Sequence, residues 1–192
     1  ALLYPFPTER FFESCASARP CVIKRRHAAG RVASEALDLF SLPALREVVE
    51  QHPPLSAELN LRMFRHPPGG GGRHDAELEG AVDMDEVDRL LAEGFALEFF
   101  EPQRFLRGLQ HVNASLEAHL QSLAGATACV LPPSGSIAPH HEDADMIIIQ
   151  CGGSQTVTLY RPAPGMELQD QCRPDIPSSL LGAPSASVTL HP

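Results

Sequence analysis

Ala138-Pro139-His140-His141-Glu142-Asp143, followed by the apolar run Met146 to Ile149 and the pair Gly152-Gly153, is the stretch on which the fold turns. In an extended chain, side chains two residues apart point to the same side. His140 and Glu142 therefore present an imidazole and a carboxylate together at the mouth of a strand. A mononuclear non-haem iron site takes its first two ligands in this way and completes its set of two histidines and one carboxylate with a distant His. His141 and Asp143 share the spacing and form an alternative register. Behind the motif, Gly152-Gly153 supplies the positive φ angles of a two-residue hairpin between strands at Asp145 to Cys151 and Ser154 to Tyr160.

Outward from this stretch, Thr127 to Leu131 and Ser187 to Leu190 also read as strands, so the chain is β-rich from Thr127 onward. Its earlier part is richer in helix. Thr8 caps a short helix through Phe11, Phe12 and Cys15, and Cys21-Val22-Ile23-Lys24 reads as a strand. A helical segment over Ser34 to Leu45 is ended by Pro53-Pro54, and His66-Pro67-Pro68 with Gly69 to Gly72 makes a surface loop. Asp83 to Glu93 is a helix with acidic residues in its first turn and Gly94 past its end; Phe95 to Phe100 then forms a strand. In Pro102 to Leu123, Phe105, Leu109, Val112, Leu116, Leu120 and Leu123 recur at helical spacing, which predicts one long helix whose stripe is core. The expected division is a helix-rich region over 1–94 and a sheet domain over 95–192.

The composition narrows the classes of function. With 43% hydrophobic residues in 192, the chain can bury a core, and no apolar run approaches the ~20 residues that span a bilayer. A net charge of -9 opposes nonspecific binding to nucleic acid and suits basic partners. Five cysteines without a C-x-x-C pair support neither a disulfide framework nor a zinc ribbon. The chain begins at Ala1 and stops at Leu190-His191-Pro192, which reads as mid-strand, so a piece of a longer protein is expected.

In order and spacing, these features resemble the JmjC class of the cupin (double-stranded β-helix) superfamily, and more narrowly the ribosomal oxygenases described as bifunctional lysine-specific demethylase and histidyl-hydroxylase. The resemblance is carried by Pro7, Phe11-Phe12, Pro20-Cys21-Val22-Ile23-Lys24, the turn Leu131-Pro132-Pro133-Ser134, Ala138 to Asp143, Gln150 before the glycine pair, and Tyr160-Arg161-Pro162. The fold implied is α+β, a mainly helical N-terminal region followed by an incomplete double-stranded β-helix. The resemblance also implies Fe(II) held by His140, Glu142 and a His beyond Pro192, with 2-oxoglutarate as cosubstrate. It implies a basic protein substrate, either a ribosomal protein or a histone tail, a nuclear or nucleolar location, and a homodimer among the arrangements of the whole protein.

Three departures fall at the site. Glu142 stands where the family has Asp, which retains a carboxylate one methylene further out. Gln155 stands at the family's Lys for the 5-carboxylate of 2-oxoglutarate, and its neutral amide donates a weaker bond than an ammonium. The family's Asn and Tyr at the cosubstrate fall on Thr127 and Cys129. The bland reading of His140 to Asp145 is a solvated polar loop. Beside the oxygenase stand two rivals, a cupin-like binding module without catalysis and a metal cupin of other chemistry.

Overall fold

A computed structural model of the chain describes residues 7–16, 20–23, 39–52, 54–66, 72–133, 135–162 and 176–192. It is a mixture of helices and antiparallel sheet. Helix α1 covers Thr8–Ala16, α2 Leu42–Gln51 and the short α3 Ala57–Asn60; β1 is Leu61–Arg65 and β2 His74–Asp75. Then come α4 (Met84–Ala92), β3 (Ala96–Phe100), a 3-10 turn at Pro102–Arg104, α5 (Arg107–Leu120) and β4 (Thr127–Val130). Strand β5 (Gln155–Tyr160), a 3-10 turn at Ser178–Leu180 and β6 (Pro184–Leu190) complete the described elements.

The first four strands make one sheet in the order β2-β1-β3-β4, antiparallel throughout, so strands from either side of residue 94 share a single ladder. Its registers place Leu61 opposite Phe99 and Phe99 opposite Ala128, and Met63 opposite Leu97 and Leu97 opposite Val130. These rows face α2 and α4, whose Leu45, Val48, Met84, Val87 and Leu90 are buried with them in one core. Phe99 lies at its centre, 0% exposed, stacked on Phe105 at 5.8 Å and tilted against Phe40 at 6.3 Å. Helix α4 begins where its sequence signals say. Asp83 accepts the Asp85 amide at 2.9 Å, Asp85 and Glu86 sit at the positive end of the helix dipole, and Gly94 takes φ +89° past the last turn.

Several expectations are corrected. Residues 21–23 form no strand, and Lys24 lies outside the described residues, as do residues 34–38 of the expected second helix. The helix found there is α2, set by Ser41, whose hydroxyl accepts the Ala44 amide at 3.2 Å, and by Pro43 in its first turn. Most of the glycine loop, 67–71, is likewise outside the described residues, but β1 and β2 on either side of it pair as a hairpin that the sequence reading does not contain. The long helix is broken. Glu101 adopts a left-handed φ of +50°, Pro102 opens a 3-10 turn, and the α-helix restarts at Arg107. Past Phe105 its apolar stripe is not core: Leu109, Val112 and Leu116 are half-buried, Leu120 is 43% exposed and Leu123 95%. The buried residue of α5 is Asn113, whose amide donates to Ala124 O at 3.2 Å. Helical spacing shows that one face is apolar and leaves open what covers it. Phe12 stands 37% exposed beside Phe11 for the same reason.

The segment 145–150 carries no strand, and no β-hairpin forms at Gly152-Gly153, although Gly153 does take φ +63°. Strand β5 pairs instead with β6, from Gln155 opposite Leu190 to Leu159 opposite Ala186. Met146, Ile147 and Ile148 are 62%, 45% and 53% exposed. Four consecutive apolar residues suit a strand covered on both faces. Among the described residues no strand pairs with them.

Candidate metal centre

The site segment leaves β4 through Leu131-Pro132-Pro133. The turn is closed by the Gly135 amide, which donates to Pro132 O at 2.7 Å, and a Cβ on Gly135 would lie 2.6 Å from the Pro132 ring, so only glycine fits. A second tie follows: Ile176 N–H donates to Pro139 O at 2.7 Å, which fastens the residue before His140 to the stretch leading into β6. Two anchors thus bracket an otherwise irregular segment.

His140 Nε2 lies 3.6 Å from Glu142 Oε1, with the two side chains about equally exposed, 36% and 32%. The other ring nitrogen, Nδ1, is 2.9 Å from Ala138 O. A carbonyl only accepts, so Nδ1 carries the proton and donates; in the neutral ring Nε2 is then the nitrogen left to bind a metal, on the side of the carboxylate. An imidazole lone pair and a carboxylate oxygen converging from one side, open to solvent, are two hard-to-borderline donors of the kind that hold Fe(II), Mn(II) or Zn(II). The backbone carbonyl behind the ring is the outer support such ligands commonly have. In chemistry and position the pair fits two places of a facial metal site. Among the described residues no third His, Cys, Asp or Glu joins them.

No ion pair joins His141 to Glu142. His141 is half-buried, and its Nε2 is shielded from solvent without a hydrogen-bond partner. Asp143 is exposed on a bend, and no ion pair joins it to His141. The structure therefore brings together His140 and Glu142 and keeps His141 and Asp143 apart.

Thr127 and Cys129 lie on β4 with Ala128, buried at 8%, between them, so both side chains point to the sheet face away from the core. On that face Cys129 is opposite Glu98, which Arg62 of β1 grips through Nε at 2.8 Å and through Nη2. The Cys129 thiol pKa is raised by loss of surrounding water and by the Glu98 charge, which keeps it a neutral thiol at pH 7. Gln155 begins β5 and belongs to the other sheet. Sequence reasoning missed the Arg62–Glu98 pair, because a cross-strand neighbour is visible only once the register of β1 on β3 is known.

Comparison with known proteins bears on this arrangement. The chain is 24% identical over 194 residues to the bifunctional lysine-specific demethylase and histidyl-hydroxylase NO66 of Aedes aegypti, a match covering 100% of this chain and 29% of that protein. It is 26% identical over 167 residues to the protein of the same name from Drosophila grimshawi, covering 85% and 22%. Against ribosomal oxygenase 2 of Rattus norvegicus it is 25% identical over 194 residues, covering 100% and 40%. No protein-family model matches the chain. The chain spans well under half the length of these curated relatives, and the resemblance carried by its motifs extends along its whole length.

Proposed function

From kinship with the ribosomal oxygenases, we propose that this chain supplies the helix-rich region and the first sheet strands, with two metal ligands, of an Fe(II)- and 2-oxoglutarate-dependent oxygenase of the JmjC, double-stranded β-helix type. The observation that carries the reading is the convergence of His140 Nε2 and Glu142 Oε1 on a segment matched throughout by oxygenases. His140 and Glu142 would hold the iron with a further His of the whole protein. Bound iron and 2-oxoglutarate would supply, with O2 as the oxidant, oxidation of an unactivated C–H bond, one oxygen atom going to the substrate and the other to the succinate left when 2-oxoglutarate loses CO2. What the chain's own residues do is hold and orient. Ala138 O fixes the tautomer and ring plane of His140, and the Gly135 turn and the Pro139–Ile176 bond hold the segment. Thr127, Cys129 and Gln155 would stand where the family's cosubstrate residues stand. The substrate side chain would be a histidine of a ribosomal protein or a methylated lysine of a histone, with action in the nucleus or nucleolus.

The test incubates the whole protein with Fe(II), 2-oxoglutarate and basic peptides containing histidine or methyl-lysine. Succinate release stoichiometric with gain of one oxygen, or loss of one methyl group, is the expected result; binding of peptide without succinate would favour the rival reading of a non-catalytic module. That rival is favoured by the neutral Gln155 at the position of a charged anchor and by Thr127 and Cys129 where the family has Asn and Tyr.

Gln155→Lys sharpens the test. An ammonium in place of the amide should tighten 2-oxoglutarate by about 1 kcal/mol, roughly fivefold, since charged hydrogen bonds are about twice as strong as neutral ones. Apparent cosubstrate affinities of wild type, Gln155→Lys and Gln155→Ala in one assay give the answer. Three equal values would show that Gln155 does not face the cosubstrate.

A further inference from the structure

One face of the sheet β2-β1-β3-β4 carries the core, and the other carries charge. Register and alternation put Asp75, Phe64 and Ala96 in one row of that second face and Arg62, Glu98 and Cys129 in the next, with Phe100 and Thr127 beyond. It is not a solvated surface. Phe64 and Ala96 are each 1% exposed although neither belongs to the core around Phe99, so a second covered region lies here.

Two guanidiniums lie on this face, each over an aromatic ring. Arg62 Cζ is 5.2 Å from the centre of the Phe100 ring, and Cζ of Arg73, the residue before β2, is 4.1 Å from that of Phe64. Each holds one carboxylate with part of its fork. Arg62 directs Nε and Nη2 to a single oxygen of Glu98, and Arg73 directs Nε to Asp75 Oδ1 at 2.7 Å. Donors are left over. Among the described residues Arg62 Nη1 has no partner, and Arg73 Nη2, shielded from solvent, has none either. The Arg73 side chain is only 15% exposed, and a buried charged donor without an acceptor is costly, so native sites nearly always supply one. The acceptor that best matches an open guanidinium edge is a carboxylate.

The charges also reach β4. Loss of surrounding water raises the Cys129 thiol pKa most, Glu98 raises it further and Arg62 lowers it, so Arg62 acts across β3 on the strand that leads to His140.

We propose that Arg62 and Arg73 are carboxylate-binding residues on this face, and that their ligand, which rests on the oxygenase reading, is the 2-oxoglutarate dianion. Their charge answers the neutral Gln155. Stacked on Phe100 and Phe64, both guanidiniums are held in place before the ligand arrives, which lowers the cost of ordering them.

The experiment titrates 2-oxoglutarate into the whole protein loaded with Mn(II) and reads the dissociation constant by calorimetry, without turnover. Arg62→Gln and Arg73→Gln should each weaken binding at least about tenfold, since each removes a charge-assisted bond. Glu98→Gln and Asp75→Asn should act the other way and tighten binding by up to about fivefold, because each releases a guanidinium from a competing carboxylate. A merely structural ion pair suffers alike whichever partner is removed, so opposite signs separate the two roles. Arg62→Lys and Arg73→Lys keep the charge without the fork and should lose less than the Gln variants. Thermal unfolding of each variant reports on its fold. Matching losses across each ion pair, or unchanged affinity in both arginine variants, would overturn the proposal while leaving 2-oxoglutarate binding and the oxygenase reading in place. Absence of binding by the wild type would overturn both together.

Discussion

Alanine in place of His140 is expected to bring 2-oxoglutarate turnover by the whole protein to background, a fall of at least ~100-fold, because losing even an outer-shell partner of a metal ligand costs ~10–100-fold. The imidazole is one of two donors on this segment, and its Nε2 is the atom turned toward Glu142. His141→Ala is the matched control. Its ring is half-buried and its Nε2 has no partner, so turnover should stay within about threefold, given the usual modest effect of substitutions outside a site. Succinate formation under saturating Fe(II) reads both. Loss on His141→Ala with retention on His140→Ala would establish the His141/Asp143 register.

Phe99→Ala carries the largest expected cost to stability, about 3–5 kcal/mol, the usual range for truncating a buried aromatic. The ring is fully buried between Phe105 and Phe40, and its neighbours Leu61 and Ala128 are tied to paired strands and cannot collapse freely into the space. Against a net stability of ~5–15 kcal/mol for a domain, the loss should move the urea midpoint far to the left at unchanged slope. Phe12→Ala, at an exposed position, should cost less than ~1 kcal/mol. A small loss at Phe99 would mean that the sheet and α2 do not share one core.

What the sequence disclosed was local. The α4 cap, the stop at Gly94 and strand β3 are all read from residues within a turn or two, and the structure shows them where those residues stand. The shared side of His140 and Glu142 is local too, since an extended backbone alternates its side chains. What stayed hidden depends on distant partners. Leu61-Arg62-Met63-Phe64-Arg65 becomes a strand because β3 offers a pairing edge, and nothing inside those five residues announces it. Leu120, Leu123 and the Met146–Ile148 run are apolar without being covered by described residues, so an apolar pattern was legible and its burial was not. Pro102 shows the reverse case. A proline suited to a first helical turn starts a 3-10 turn here, because Glu101 enters it in a left-handed conformation that redirects the chain.

The most direct test of the central claim, that His140 and Glu142 are a metal-binding pair, is titration of the isotope-labelled 192-residue chain with Mn(II), followed by paramagnetic broadening of its side-chain and backbone resonances. Two donors make a weak site, so broadening should appear at high metal concentration, begin at the His140 ring and the Glu142 carboxylate, and vanish in His140→Ala. Broadening that begins instead at His141 and Asp143, or that survives His140→Ala unchanged, would contradict it.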